Sequence, residues 1–228
     1  MTPAEWSILL LSLKVGAVAV AGALPVAFAL AWALARSRLP GKLVLDVAVH
    51  LPLVLPPVVT GYLLLLSFGR RGLVGGWLAD HLGIVFAFRW TGAALACGVM
   101  SFPLLVRPIR LSIEAVDRRL EQAAETLGAA PWRVFATVTL PLALPGVLAG
   151  MVLGFAKAIG EFGATITFVS NIPGETQTIS SAIYSLIQTP DGDTAAARLV
   201  IVSIVIAMGA LIGAEVFARR ATARLHGQ

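Results

Sequence analysis

The stretch Leu120-Glu121-Gln122-Ala123-Ala124-Glu125-Thr126-Leu127-Gly128-Ala129-Ala130-Pro131-Trp132-Arg133, continuing through Val138-Thr139-Leu140-Pro141, is a polar island in an apolar chain. Val116, Leu120, Ala123 and Leu127 recur at helical spacing while Asp117, Arg118, Glu121, Gln122 and Glu125 occupy the other faces. That pattern predicts a short amphipathic helix. Gly128 stands where a left-handed residue ends a helix, and Pro131 stands where a second helix can open. Together they predict a bent helical elbow over about 112–141, lying outside the lipid.

Around this island, 58% of the 228 residues are hydrophobic and 13% are charged, with a mean hydropathy of +0.89. Soluble domains carry roughly 25% charged residues, so the chain is expected to be an all-α integral membrane protein. No polar stretch is long enough for a second folded domain, and residues 1–228 are expected to form one membrane domain. A single cysteine, Cys97, excludes an internal disulfide and a cysteine metal cluster. Neither G-x-x-x-x-G-K-S/T nor G-x-G-x-x-G occurs, so energy has to come from a partner or a gradient. The histidines, His50, His81 and His226, are scattered; no catalytic residue, no metal site and no cofactor in this chain are expected.

Residues 8–35 exceed the ~20 residues that cross ~30 Å of hydrocarbon. Lys14, about two turns inside, is read as snorkelling to the outer interface, with a pore-facing position as the alternative. The lack of a basic n-region and the closing Arg36-Ser37-Arg38 predict that this span is retained. A second span, 44–68, contains Pro52, Pro56, Pro57 and Gly61, so it must be kinked or broken where protein or a cavity satisfies the freed carbonyls. Asp46 and His50 near its start are four apart and are expected to pair at the interface, with a role in transport as the alternative. Gly69 to Trp90 predicts an interfacial hairpin, because Ile84-Val85-Phe86 is too brief to span.

Residues 91–106 form a third span interrupted by Pro103, and Arg107 and Arg110 mark the membrane surface. From Leu142 to about Val169 the chain is apolar again, and Gly146, Gly150, Gly154 and Ala158 form a small-residue ridge that a neighbouring helix can approach closely. Lys157 and Glu161 in that segment are spaced i, i+4 and can neutralise each other, so they are the candidate polar residues of the pore or bundle. Residues 160–188 carry a loop and a half-apolar helix, expected to cap the passage on its outer side before the turn Thr189-Pro190-Asp191-Gly192-Asp193. The last span, 199–218, closes with Arg219, Arg220 and Arg224. Five spans are expected, with a sixth allowed.

Cytoplasmic loops are enriched in Lys and Arg. An elbow placed inside puts Arg36, Arg38, Lys42, Arg107, Arg110, Arg118, Arg119, Arg133, Arg219, Arg220 and Arg224 on the cytoplasmic side, leaving Arg70, Arg71, Arg89 and Arg198 outside. The N-terminus is then outside and the C-terminus cytoplasmic. The net charge of +5 is largely this asymmetry, and it argues neither for nucleic acid nor for an anionic substrate.

Ala123-Ala124, then Gly128 four residues on, then Val138-x-Leu140-Pro141 after nine more, resembles the EAA loop of ABC-transporter permeases. The resemblance implies that Glu121, Gln122, Ala123, Ala124, Gly128, Leu140 and Pro141 belong to a coupling segment that docks on a separate ATPase subunit. Gln122 holds the place where Glu is commonest and Glu121 precedes it, a departure that touches one charged contact and leaves the elbow geometry intact. Three runs, His50 to Val59, Leu120 to Pro141 and Gly160-Glu161-Phe162-Gly163-Ala164-Thr165-Ile166-Thr167-Phe168 through Asn171 to Thr176, are similar to the molybdate-permease family of bacterial ABC importers. That likeness implies a type I ABC importer permease fold in the bacterial inner membrane. Its implied partners are a second copy, two ATPase subunits holding ATP and Mg, a periplasmic molybdate-binding protein and membrane lipid. Molybdate and tungstate are the implied cargo, and sulfate and thiosulfate permeases, which share the second run and part of the third, are the nearest alternative. An ion-coupled secondary transporter would need paired internal repeats, and no duplicated half is found.

Overall fold

The computed structural model describes residues 1–37 and 40–225. Arg38, Leu39 and His226 lie outside the described residues, and so do the side chains of Arg219, Arg220 and Arg224. Helix α1, Pro3–Arg36, opens with a capping box in which Thr2 accepts from the Glu5 N–H and the Glu5 carboxylate accepts from the Thr2 N–H. Its 34 residues, at 1.5 Å each, make about 50 Å of helix, so it overshoots the hydrocarbon layer. The second apolar segment is two helices, α2, Lys42–Val54, and α3, Pro57–Phe68, whose axes differ by 112°. The break falls at Leu55-Pro56, where adjacent prolines remove two consecutive backbone donors.

In place of the expected hairpin, residues 69–90 hold one short helix, α4, Leu73–Leu82, closed by Gly83 at φ +67°. The Ile84-Val85-Phe86 run has no regular structure. Helix α5, Trp90–Ala115, continues without interruption through Pro103 and Pro108, correcting the third span in two respects. It outlasts residue 106, and Pro103 does not divide it, because proline inside a membrane helix is tolerated where neighbouring helices pack around it. The elbow consists of α6, Arg118–Thr126, and α7, Pro131–Val134. A π-helical turn, Phe135–Thr139, joins α7 to α8, Leu140–Ile159, so residues 131–159 form one continuous helical stretch. The elbow proper is therefore shorter than 112–141: its first residues finish α5 and its last begin α8.

The fourth apolar segment also ends early. It breaks at Gly160-Glu161-Phe162, and α9, Gly163–Val169, starts as a separate helix. Helix α10, Ile179–Leu186, and α11, Asp193–Leu225, complete the chain. Four stretches, α1, α5, α7 through α8, and the first part of α11, are long and apolar enough to cross a membrane, and α2 with α3 makes a fifth if the broken pair is one span. No sixth exists among the described residues.

Helix α5 is the centre of the bundle. Gly92, Ala93, Ala94, Ala96, Cys97 and Gly98 are all buried, and their small side chains let α1, α8 and α9 approach the α5 backbone. The ridge on α8 serves the same contact from the other side: Gly146, Gly150, Gly154 and Ala158 are buried, and a methyl at Gly146 would run into Ser112 and the Pro108 carbonyl. Two of the three apolar clusters include α5, and the third joins α1, α10 and α11. One joins Met100, Phe168 and Val169, the next Leu34, Leu105 and Ile109, and the last Leu9, Ile179 and Leu199.

Candidate functional site

The elbow is built by capping rather than by packing. Asp117 caps α6 by accepting from the Arg119 N–H at 2.9 Å. At the other end the Ala129 N–H donates to the Ala124 carbonyl at 3.1 Å and the Gly128 N–H to the Glu125 carbonyl at 2.9 Å. These two bonds define a Schellman motif, which needs a left-handed residue at its turn, and Gly128 has φ +82°. Ala130 is extended and Pro131 opens α7 at its first position. No residue of α6 is buried. Leu120 (51% exposed), Leu127 (88%) and Trp132 (67%) present apolar surface to the exterior, so the part of the sequence stripe that lies on the elbow faces away from the bundle, while Val116, at the end of α5, is buried. Gln122 and Ala123 are exposed as well, whereas Ala124, Leu140 and Pro141 are half-buried.

Glu121 points the other way. Its Oε1 accepts from Arg36 Nη2 at 2.9 Å and from Thr139 Oγ1 at 2.6 Å, and the carboxylate is only 17% exposed. Phe135, in the π turn, lies edge-on to Trp32 at 5.1 Å and Phe28 at 5.9 Å. A crevice of about 330 Å³ lies between the end of α1 and the elbow, lined by Trp32, Arg36, Glu121, Glu125 and Phe135 among others. Neither Arg36 nor Thr139 stands out as a partner of Glu121 in the sequence, since contacts across 85 and 18 residues leave no periodic signal.

Deeper in the bundle, Lys157 Nζ donates to Glu161 Oε2 at 2.7 Å and the Ala164 N–H donates to Glu161 Oε1 at 3.0 Å. The Glu161 side chain is 1% exposed and that of Lys157 30%. Glu161 occupies the break between α8 and α9, so its buried charge is met by the lysine one turn back and by an amide of the next helix. An unpaired charge at this depth would cost several kcal/mol.

The Asp46 carboxylate meets Arg110 at 2.9 Å, and Arg110 also binds Glu114 at 2.8 Å. His50 Nδ1 lies 2.8 Å from the Asp46 carbonyl and 3.7 Å from its carboxylate, so the expected Asp46–His50 pair is subordinate to the arginine. Lys14 Nζ sits 3.6 Å from the centre of the Trp90 ring. Glu5 takes two bonds from Arg198, at 2.7 and 3.0 Å, at the end of α1 far from the elbow. There the Ile179 N–H donates to Ser12 Oγ and Ser180 Oγ donates to the Ile159 carbonyl, which seats α10 against α1 and α8. Among the described residues no three His, Cys, Asp or Glu side chains converge as a metal site.

The molecule is thus an all-helical membrane bundle with one broken span and an amphipathic elbow that presents an apolar face to the exterior. Residues 23–223 match the family described as the binding-protein-dependent transport system inner membrane component, and the chain belongs to that family as a multi-pass inner-membrane protein. It is 62% identical over 219 residues to the molybdenum transport system permease protein ModB of Escherichia coli (strain K12), covering 96% of each chain. It is 54% identical over 221 residues to the ModB protein of Haemophilus influenzae, covering 97% of this chain and 96% of that one. In three dimensions it is similar to a chain of a bacterial alginate ABC transporter solved in complex with an alginate pentasaccharide-bound periplasmic protein. That match has a TM-score of 0.76 at 18% identity, covers 97% of this chain and 81% of that one, and carries the fold of ABC importer permeases.

Proposed function

We propose that residues 1–228 act as one membrane domain, the translocating subunit of an ATP-driven importer that passes molybdate, and tungstate with it, by alternating access. The observation that carries the energetic half of this proposal is the elbow. An elbow whose α6 buries no residue and which presents Leu120, Leu127 and Trp132 outward has an apolar face that water leaves unsatisfied and a groove on another subunit would cover. The partner is an ATPase subunit carrying ATP and Mg. Gln122, Ala123 and Gly128 shape the docking segment, and Leu140 and Pro141 join it to α8.

Orientation follows from charge. Arg36, Arg118, Arg119 and Arg133 gather at the elbow end, which is assigned to the cytoplasm, with the N-terminus outside and the C-terminus inside. The break at Leu55-Pro56-Pro57 supports a second copy of the chain. Pro56 and Pro57 are exposed, and irregular backbone at membrane depth persists only when covered by protein or lining an aqueous path. A homodimer with its passage along this face meets both conditions.

Selection of the cargo is assigned mainly to a periplasmic binding protein. Burying a dianion needs many fixed donors, while the cation of Lys157 is already neutralised by Glu161. A passage without a net positive trap lets a dianion through without holding it. The kinship with molybdenum permeases supports molybdate over sulfate. The test reconstitutes the chain with its ATPase partner and measures hydrolysis on adding the binding protein loaded with molybdate, tungstate or sulfate. Molybdate and tungstate should stimulate and sulfate should not. Equal stimulation by sulfate at equal occupancy of the binding protein would remove molybdate while leaving the permease function standing.

A further inference from the structure

We propose that Arg36, Glu121 and Thr139 form an internal latch that makes α1 and α8 follow the elbow, with Glu121 as a positioning residue rather than a contact to the ATPase. This rests on the elbow being the ATPase-docking segment. Three elements meet at one carboxylate oxygen: Arg36 ends α1, Glu121 lies in the first turn of α6, and Thr139 ends the π turn that leads into α8. Both hydrogen bonds fall on Glu121 Oε1, at 2.9 and 2.6 Å.

The π turn is what makes Thr139 available. Thr137, two residues earlier, returns its hydroxyl to the Arg133 carbonyl four residues back, the usual habit of threonine in a helix. Thr139 is 1% exposed and instead donates across to α6. The widened turn is closed by the Leu140 N–H donating to the Phe135 carbonyl. Single π turns recur at functional positions in helices, and this one sits at the junction between the docking segment and a membrane span.

The latch also has room for a second setting. Arg36 Nε is buried and makes no hydrogen bond, so the guanidinium holds Glu121 through one nitrogen only. Arginine and carboxylate pair most strongly through two parallel bonds, and a small shift of the elbow that brings Glu121 Oε2 against Nε would complete that fork. A contact with one bond made and one reserved fits a moving joint better than a clamp selected for stability alone. Because α1 and α8 both pack on α5, displacement of the elbow is carried to the centre of the bundle by two helices at once.

The experiment uses the chain reconstituted in liposomes with its ATPase subunit and the molybdate-loaded binding protein. It reads molybdate taken up per ATP hydrolysed, together with the amount of ATPase that co-purifies. Thr139→Val keeps the shape and removes the hydroxyl; Thr139→Ser keeps the hydroxyl. Loss of one charge-assisted hydrogen bond should lower the uptake-to-hydrolysis ratio about tenfold in Thr139→Val and in Glu121→Gln, with ATPase still bound. Thr139→Ser, and the charge exchange Arg36→Glu with Glu121→Arg, should bring the ratio back toward wild type. A purely structural contact would lower the yield of assembled complex and leave the ratio unchanged, which overturns the latch, as does loss of bound ATPase in Glu121→Gln. Trp132→Asp separates the two levels. If that variant still binds ATPase normally, the docking role of the elbow fails and the latch with it; if it loses ATPase while Glu121→Gln keeps a normal ratio, the latch alone fails.

Discussion

Replacing Gly128 by valine isolates the backbone requirement of the elbow. The residue has φ +82°, and a Cβ built there meets no atom within 4 Å. The penalty is therefore conformational and not steric crowding by neighbours. An L residue in the left-handed region costs roughly 1–2 kcal/mol, and a β-branched one lies at the upper end of the ~1–3 kcal/mol range for strained backbone. At 1.4 kcal/mol per tenfold, about 2–3 kcal/mol lowers the population of the capped elbow roughly 30- to 140-fold. Helix α6 has little to offset this: it has 9 residues and buries none, and helices below ~12 residues are marginal without packing. In the reconstituted transporter, Gly128→Val should cut uptake at least about tenfold while the amount of chain in the membrane stays the same. Gly128→Asn, which tolerates the left-handed region, should stay within about threefold of wild type, and Gly128→Ala should fall between. Normal uptake by the valine variant, or an asparagine variant as impaired as the valine one, would refute the assignment of the loss to backbone conformation at this position.

Two further perturbations address orientation and the buried ion pair. In a Cys97→Ser background, a cysteine replacing Asp191 should react with an impermeant thiol reagent in intact cells and one replacing Arg119 should not; the opposite pattern reverses the membrane orientation. Glu161→Leu strands Lys157 at depth and should destabilise the detergent-solubilised protein by about 3–5 kcal/mol, seen as a lowered melting temperature, whereas Lys157→Met with Glu161→Leu should recover most of it. A single variant as stable as wild type would mean that Lys157 reaches water without its partner.

Much of the architecture can be read from local signals. The Schellman turn at Gly128 and the helix start at Pro131 were visible because each depends on one residue's own backbone preference, which no distant contact had to supply. The broken second span was legible for the same reason, since paired prolines remove donors wherever they stand. Spacing exposed the Lys157–Glu161 pair because i, i+4 neighbours meet on any helix. The small-residue ridge on α8 announced close packing, though not that α5 would be the helix it meets. Proline alone misled at Pro103: whether a membrane helix survives a missing donor depends on the helices around it, and those are brought there by the fold.

What the chain could not disclose locally are the contacts made across long separations. Composition and periodicity marked the elbow as amphipathic, but not that its leucines point away from the bundle while Glu121 turns inward to Arg36 and Thr139. The π turn at Thr139 has no pattern in Phe135-Ala136-Thr137-Val138-Thr139, and the rings that Phe135 meets there, Phe28 and Trp32, lie far away along the chain. Sequence by itself determined a multi-span, all-helical membrane chain with a capped elbow between its third and fourth spans, since hydropathy, proline and glycine act on their own neighbourhoods. Only the tertiary structure decided which face of the elbow is free, which carboxylate is buried and what holds it, because those depend on helix ends that are far apart along the chain and adjacent only after the bundle has closed.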